Sequence, residues 1–200
     1  KLNFLSKLNS LEANLKNNIY VAFDKTYKVI DYNYSLSGNL KKSELKLSKS
    51  IKNEFIEEIK QLNFSDIKFQ SFFTPQDINF KGDGKYSFNG LDFLNINFEN
   101  NSNNGEINLK LNFDFKDSLI VEFLNYKKPK NSLSRFSVDL KKKKDSIKIN
   151  KLNFNEKDNF IKIKNLSFKN DKLISFEELL VETKNNSFFA RNEKEILIKG

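Results

Sequence analysis

The sequence predicts a mainly β protein, a long antiparallel meander forming a twisted, curved open sheet in the shape of a trough, with one short helix near 51–61. Three observations carry this prediction. The segment Glu106-Ile107-Asn108-Leu109-Lys110-Leu111-Asn112-Phe113-Asp114-Phe115 alternates strictly between charged or amide residues and large apolar ones. Successive side chains of a strand point to opposite faces, so this segment has one apolar face and one wet face. The same alternation recurs along most of the chain between turn signals. A tandem motif near the C-terminus shifts its apolar parity at a fixed place, which predicts a bent sheet.

Leu11, Ala13 and Leu15 share one parity, and Ile19, Val21 and Phe23 continue it. Ile30, Tyr32, Tyr34 and Leu36 predict a strand ending at Ser37-Gly38, and Leu45 and Leu47 open the next. From Ser50 to Leu62 the spacing changes: Phe55, Ile59 and Leu62 fall at helical intervals with Ser50 as N-cap, which predicts an amphipathic helix over 51–61. Ile67 and Phe69 mark a strand, and Ile78 and Phe80 mark another that leads to a turn at Gly82-Asp83-Gly84. Tyr86 and Phe88 run to Gly90. Leu94, Ile96 and Phe98 run into Asn100–Gly105, read as a polar hairpin loop from which 106–115 returns. Leu119, Val121 and Phe123 come next, followed by Pro129, which argues against a central strand there. Phe136, Val138 and Leu140 precede Lys141-Lys142-Lys143-Lys144-Asp145. That basic run reads as a solvated hairpin tip between strands 134–140 and 146–154, with docking of anionic headgroups as the functional alternative.

The repeat is Ile147-Lys-Ile149-Asn-Lys-Leu152-Asn-Phe154 followed by Ile161-Lys-Ile163-Lys-Asn-Leu166-Ser-Phe168. Both read I-K-I-x-x-L-x-F. The parity slips by one between the second Ile and the Leu, as it does where a strand carries one extra residue. Two consecutive strands with the same slip would pair and curve together.

Composition narrows the chemistry. The chain has no His and no Cys. That removes the usual general base, the thiolate nucleophile, disulfides and His/Cys metal sites. Charged residues at alternating strand positions are expected to face water with ordinary acidities. No enzymatic role, cofactor or metal site is therefore predicted. The formal charge of +9 invites a nucleic-acid partner. Against it, Arg stands only at 135 and 191, whereas bidentate recognition of phosphate or guanine favours Arg. The Phe residues also alternate in phase with Ile and Leu, unlike a base-stacking platform, so no nucleic-acid partner is predicted. Apolar runs such as Leu119-Ile120-Val121 are far shorter than the ~20 residues that cross a bilayer. The chain opens at Lys1 and contains no Met, which predicts that residues 1–200 are a single β-rich segment of a longer protein.

A one-sided sheet must cover its apolar face. A closed barrel or sandwich would do so internally, as a structural domain of an envelope or surface protein without a lipid ligand. An open trough would leave the face for a lipid. The 21 Phe residues are a heavy apolar load for either solution.

The stretch from Ile161 to Phe176 and the closing Ile196-Leu197-Ile198-Lys199-Gly200 resemble the repeating region of AsmA-like envelope proteins of the YhdP and TamB type. Tyr32-Asn-Tyr34-Ser-Leu36-Ser-Gly38-Asn-Leu40 is similar to strands of that family. The resemblance implies a β-groove that shields phospholipid acyl chains in transit between inner and outer membranes. It implies a periplasmic location, with an inner-membrane anchor in a region absent from this segment, and no cofactor. On that reading acyl chains would contact Ile107, Leu109, Leu111, Phe113 and Phe115, with Leu94, Ile96 and Phe98 in phase on the preceding strand.

Overall fold

The computed structural model describes residues 8–52, 58–192 and 196–199. They form an antiparallel meander in an open sheet, with almost no helix. The chain divides into two compact units, one running to Ser50 and resuming over Ile59–Ile107, the other taking in most of the chain from Asn108 onward.

The first unit contains β1 (Leu8–Phe23), β2 (Val29–Ile51), β3 (Ile59–Phe73), β4 (Asp77–Ser87) and β5 (Leu94–Asn103). Strand order follows chain order. Among the described residues β1 pairs only with β2, so one edge of this unit is open. The next strand, β6 (Glu106–Phe115), follows a two-residue turn at Asn104-Gly105 with φ values of 47° and 78°. Both values lie in the left-handed region that an Asn-Gly hairpin turn uses. The loop expected over 100–105 therefore shrinks to these two residues, because the Asn and Ser side chains before them bond one another along a continuing strand, as Asn100 does with Ser102 at 3.0 Å.

Two glycine signals also read differently in three dimensions. β2 passes through Ser37-Gly38 without ending, and β4 passes through Gly82-Asp83-Gly84. A Cβ on Gly82 would lie 2.7 Å from the Lys68 carbonyl oxygen and 2.7 Å from the Phe98 ring. Glycine is needed here for close approach between strands and not for a turn. The predicted helix is replaced by strand at its two ends, where Ile51 closes β2 and Ile59 opens β3. Its centre, 53–57, lies outside the described residues.

The second unit contains the rest of β6, then β9 (Ser134–Lys143), β10 (Ser146–Glu156), β11 (Asn159–Lys169), β13 (Glu178–Glu182), β14 (Ser187–Asn192) and β15 (Ile196–Lys199), hydrogen-bonded in that order. β12 (Lys172–Ser175) pairs with the end of β11. The excursion before β9 leaves this sheet. β7 (Leu119–Val121) and β8 (Tyr126–Lys128) form a separate two-stranded sheet, joined by a 3-10 turn at Glu122–Leu124. Pro129 follows at once, consistent with a segment excluded from the central ladder.

The parity slip of the repeat is a bulge in β10. Ile149 pairs with Leu140 but Lys151 pairs with Asp139, so Asn150 is the extra residue against β9. Opposite it on β11 stands Asn165, at φ 49°. The slip brings Ile149 and Leu152 to the same face, since their partners Leu140 and Val138 lie two residues apart on β9. Asn150 donates to Asp139 Oδ1 at 2.9 Å, and Asn165 donates to Glu177. The bulge amides are thus tied to neighbouring carboxylates. The basic run ends β9 at Lys143 and turns through Lys144-Asp145, with all four lysines exposed.

Candidate functional site: the apolar face

In the first unit the registers assemble the apolar residues into rows. Leu15 faces Gly38, and Phe69 faces Gly82, which faces Phe98. Ile19 pairs with Tyr34, whose ring stacks on Phe73 at 5.7 Å, and Phe73 pairs with Ile78. Between these rows Phe80 lies 5.0 Å from Phe98 and 5.9 Å from Phe69. Three rings therefore wall the notch left by Gly82, which has no side chain to fill it. This face is only partly covered. Phe80 is 37% exposed, Ile78 45% and Leu15 47%. The sequence-predicted residues Leu94, Ile96 and Phe98 are half-buried on this face, opposite Tyr86, Gly84 and Gly82.

The other face of the same strands is polar. Gln70 pairs with Lys81 and Lys81 with Glu99, while Lys68 pairs with Asp83 and Asp83 with Asn97. Two adjoining shallow hollows of ≈ 450 and ≈ 560 Å³ share Ser37, Gln70, Lys81 and Glu99 in their linings. The apolar rows are thus an open surface, and the side chains at these hollows are mainly polar.

β6 shows a gradient. Ile107 is 38% exposed, Leu109, Leu111 and Phe113 are half-buried, and Phe115 is 5% exposed. Phe113 stacks on Phe136 at 5.0 Å, and Phe115 meets the same ring edge-on at 5.8 Å. The Lys128 ammonium stands 5.3 Å over the Phe115 ring. The alternation is thus covered at its Phe115 end and open at its Ile107 end. Leu94, Ile96, Phe98 and Ile107 belong to the first unit, and Leu109 to Phe115 belong to the second.

What covers the Phe115 end is the β7–β8 flap. Leu124 and Tyr126 of the flap pack with Phe154, Ile161 and Val181 of the sheet to make the core of this unit. The sheet residues form one row, Phe136–Phe154–Ile161–Val181–Phe188, through direct cross-strand pairs. Tyr126 and Phe154 meet edge to face at 5.7 Å, and Phe154 is 1% exposed. The sequence named Leu119, Val121 and Phe136 as strand residues, but not the fold-back that makes a lid of 119–128. The one signal for it was Pro129.

The flap is pinned by buried polar groups, which corrects the expectation that charged side chains all face water. Glu156, Lys128 and Asp114 are buried. Glu156 accepts from Tyr126 Oη at 3.2 Å, from Asn159 Nδ2 at 2.7 Å, and from Ser132. Burial alone raises the Glu156 pKa, but these three donors together outweigh it and hold the carboxyl below its ordinary value. Burial, reinforced by the charge of Glu156 and its hydrogen bond, pushes the Tyr126 hydroxyl well above its ordinary value. Burial also lowers the pKa of Lys128, whose ammonium donates to the Asp117 carbonyl at 2.7 Å and the Pro129 carbonyl at 3.3 Å. Asp114 accepts from Arg135 Nε at 3.1 Å. These groups are occupied by structural hydrogen bonds. On the outward side, Lys164 and Arg191 flank Glu178 at 2.7 and 3.1 Å and depress its pKa.

Among the described residues no group of three or more Asp or Glu is arranged to hold a metal ion. Compared with family models, with curated proteins and with solved structures, the chain matches none.

Proposed function

We propose that this chain is a segment of an AsmA-like β-groove protein, whose open apolar face shields phospholipid acyl chains passing between the inner and outer membranes of the bacterial envelope. The single observation behind this reading is the partly covered apolar face built on a scaffold of strands. Its aromatic rows in the first unit, and the Ile107 end of β6, expose large hydrocarbon side chains in continuous register. Each methylene moved from water onto such a face contributes about 0.8 kcal/mol. Along a row of similar side chains that contribution stays nearly constant, so a chain can shift along it against a low barrier. No reacting group is required, which suits a sequence without His or Cys. The proposed location is the periplasm, with the membrane anchor outside this segment.

A second reading, a structural β domain with a closed core, is favoured by the flap, which covers Phe154, Ile161 and Val181. One experiment separates the two. A photo-crosslinking amino acid at Ile107, the open end of β6, captures phospholipid in a bacterial cell envelope on the first reading, and Ile96→Asp in the same unit abolishes the adduct while the chain stays folded. An unpaired carboxylate is costly beside hydrocarbon. If the wild-type background yields no lipid adduct, or Ile96→Asp collapses the β signal in circular dichroism, the closed-core reading holds.

A further inference from the structure

The chain contains two Asn-Gly dipeptides, Asn89-Gly90 and Asn104-Gly105. The first lies between β4 and β5 and the second between β5 and β6, and both asparagines are exposed. This dipeptide is self-reactive in water. Once deprotonated, the glycine backbone nitrogen attacks the side-chain amide carbon of the asparagine, because glycine has no Cβ to obstruct the approach. The new N–Cγ bond closes a succinimide ring, and the Cγ–Nδ2 bond breaks to release ammonia. Water then opens the ring at either carbonyl, giving aspartate or its β-linked isomer. Nothing is oxidised or reduced, and water is the only co-reactant.

The two sites hold these atoms differently. The nucleophile of the first is engaged, since Gly90 N donates to Ser87 Oγ at 2.9 Å. Its electrophile is held as well. Asn89 Oδ1 accepts from Ser87 Oγ at 2.8 Å, Leu91 N at 2.9 Å and Asp92 N at 3.0 Å, while Asn89 Nδ2 donates to Asp92 Oδ2 at 2.9 Å. Ser87, which anchors this network, is 1% exposed. The second site is open. A two-residue hairpin turn bonds its flanking residues and leaves the N–H of its second central residue outside that bond. Gly105 N accordingly makes no hydrogen bond among the described residues. Asn104 Nδ2 donates only to Asn103 Oδ1, at 2.8 Å, and Asn104 N donates to the Gln76 carbonyl at 3.2 Å. A Cβ built on Gly105 would meet nothing within 4 Å, so the tip has room to rotate into the attacking geometry.

We propose that Asn104 is a site of spontaneous covalent modification, converted by water to aspartate and β-linked aspartate, whereas Asn89 is protected by the hydrogen bonds of its own loop. Exposure does not separate the two sites. What separates them is whether the glycine nitrogen and the asparagine amide are already occupied. Conversion has a structural consequence at the β5–β6 hairpin. It adds a carboxylate next to Glu106 in sequence, and beside Asn103, whose cross-strand partner is Asp77. The β-linked form also lengthens the backbone by a methylene. The turn then no longer fits the left-handed conformations, φ 47° and 78°, that suit a two-residue hairpin. The ends of β5 and β6 should loosen together. The proposal rests on the two loops alone and stands independently of whether the apolar face carries lipid.

The sequence supplies its own internal control. No Lys or Arg lies between Lys85 and Lys110, so trypsin releases both dipeptides in one peptide, residues 86–110. Tandem mass spectrometry of that peptide reads the two sites side by side. The folded chain is incubated in mildly alkaline buffer, and a second sample in concentrated urea gives each asparagine its unfolded rate. Relative to that rate, Asn104 in the folded chain should convert at least about tenfold faster than Asn89, because attack at Asn89 must first break two or more hydrogen bonds. Ser87→Ala frees Gly90 N and should speed conversion at Asn89 roughly two- to tenfold while leaving Asn104 unchanged. A variant that had merely unfolded would move both sites. Equal relative rates at the two sites, faster conversion at Asn89, or no conversion at Asn104 over the interval in which the urea sample converts would each overturn the proposal. An Asn89 rate unmoved by Ser87→Ala would overturn the protection assigned to that loop.

Discussion

Truncating two phenylalanines measures how far the apolar face is covered. Phe154 and Phe80 are chemically identical and both sit mid-strand. Phe154 is 1% exposed, with the Phe136 ring at 5.0 Å, the Tyr126 ring at 5.7 Å and Ile161 as its cross-strand partner. Removing its ring leaves a cavity under the flap that the sheet cannot close, so Phe154→Ala should cost about 3–5 kcal/mol. Phe80 is 37% exposed, with rings at 5.0 and 5.9 Å on one side and open surface on the other. Roughly two thirds of the ~1.5–3 kcal/mol transfer contribution is at stake there, and water fills the gap, so Phe80→Ala should cost about 1–2 kcal/mol. The assay is urea denaturation followed by far-ultraviolet circular dichroism, with hydrogen exchange reporting each unit separately. A loss at Phe80 equal to that at Phe154 would refute the reasoning, because it would mean that the face is sealed in solution.

Two further outcomes follow from the same geometry. Glu156→Gln should cost about 1.5–3 kcal/mol at neutral pH, since an amide cannot accept from Tyr126, Asn159 and Ser132 as a carboxylate does. The folded-state pKa of Glu156 is depressed, so its contribution is complete above the unfolded value of about 4.3 and is lost as pH falls through the folded one. The gap between variant and wild type in urea midpoint should accordingly narrow on acidification, and a gap independent of pH would exclude the mechanism. Gly82→Val places a branched side chain against the Lys68 carbonyl and the Phe98 ring. A loss of about 1–3 kcal/mol in the same denaturation assay is expected, and a neutral result would show that the notch can widen.

Much of the local structure was legible because strand periodicity is a local property. The alternation of Ile107 to Phe115 placed β6, and the slip within I-K-I-x-x-L-x-F located a bulge that the register confirms at Asn150. Glycine was misleading for a physical reason. The same residue serves a turn, as at Gly105, and a close approach inside a strand, as at Gly82. Only the neighbouring strand distinguishes these uses. The helical spacing of Phe55, Ile59 and Leu62 competed with strand pairing, and pairing prevailed at Ile59, which is buried at the start of β3.

The candidate site was legible in its chemistry but not in its degree of cover. Parity told which residues share a face, and those assignments follow from the two-residue period of a strand. It could not tell which stretch of that face is roofed. Cover at Phe115 and Phe154 depends on residues 119–128 folding back, and on Glu156 finding Tyr126, Ser132 and Asn159 as donors.

The sequence by itself therefore determined an antiparallel, one-sided β chain without His or Cys, the bulge in the repeated motif, and the identity of its apolar face. All of these depend on the order of neighbouring residues along a strand. Tertiary structure alone decided that a flap covers the face at Phe115 and Phe154 in one unit while the rows of the other stay partly exposed, and that Asp114, Lys128 and Glu156 are buried. These depend on contacts between residues distant along the chain. Burial is set by what lies across a face, and a strand's own sequence does not encode its cover.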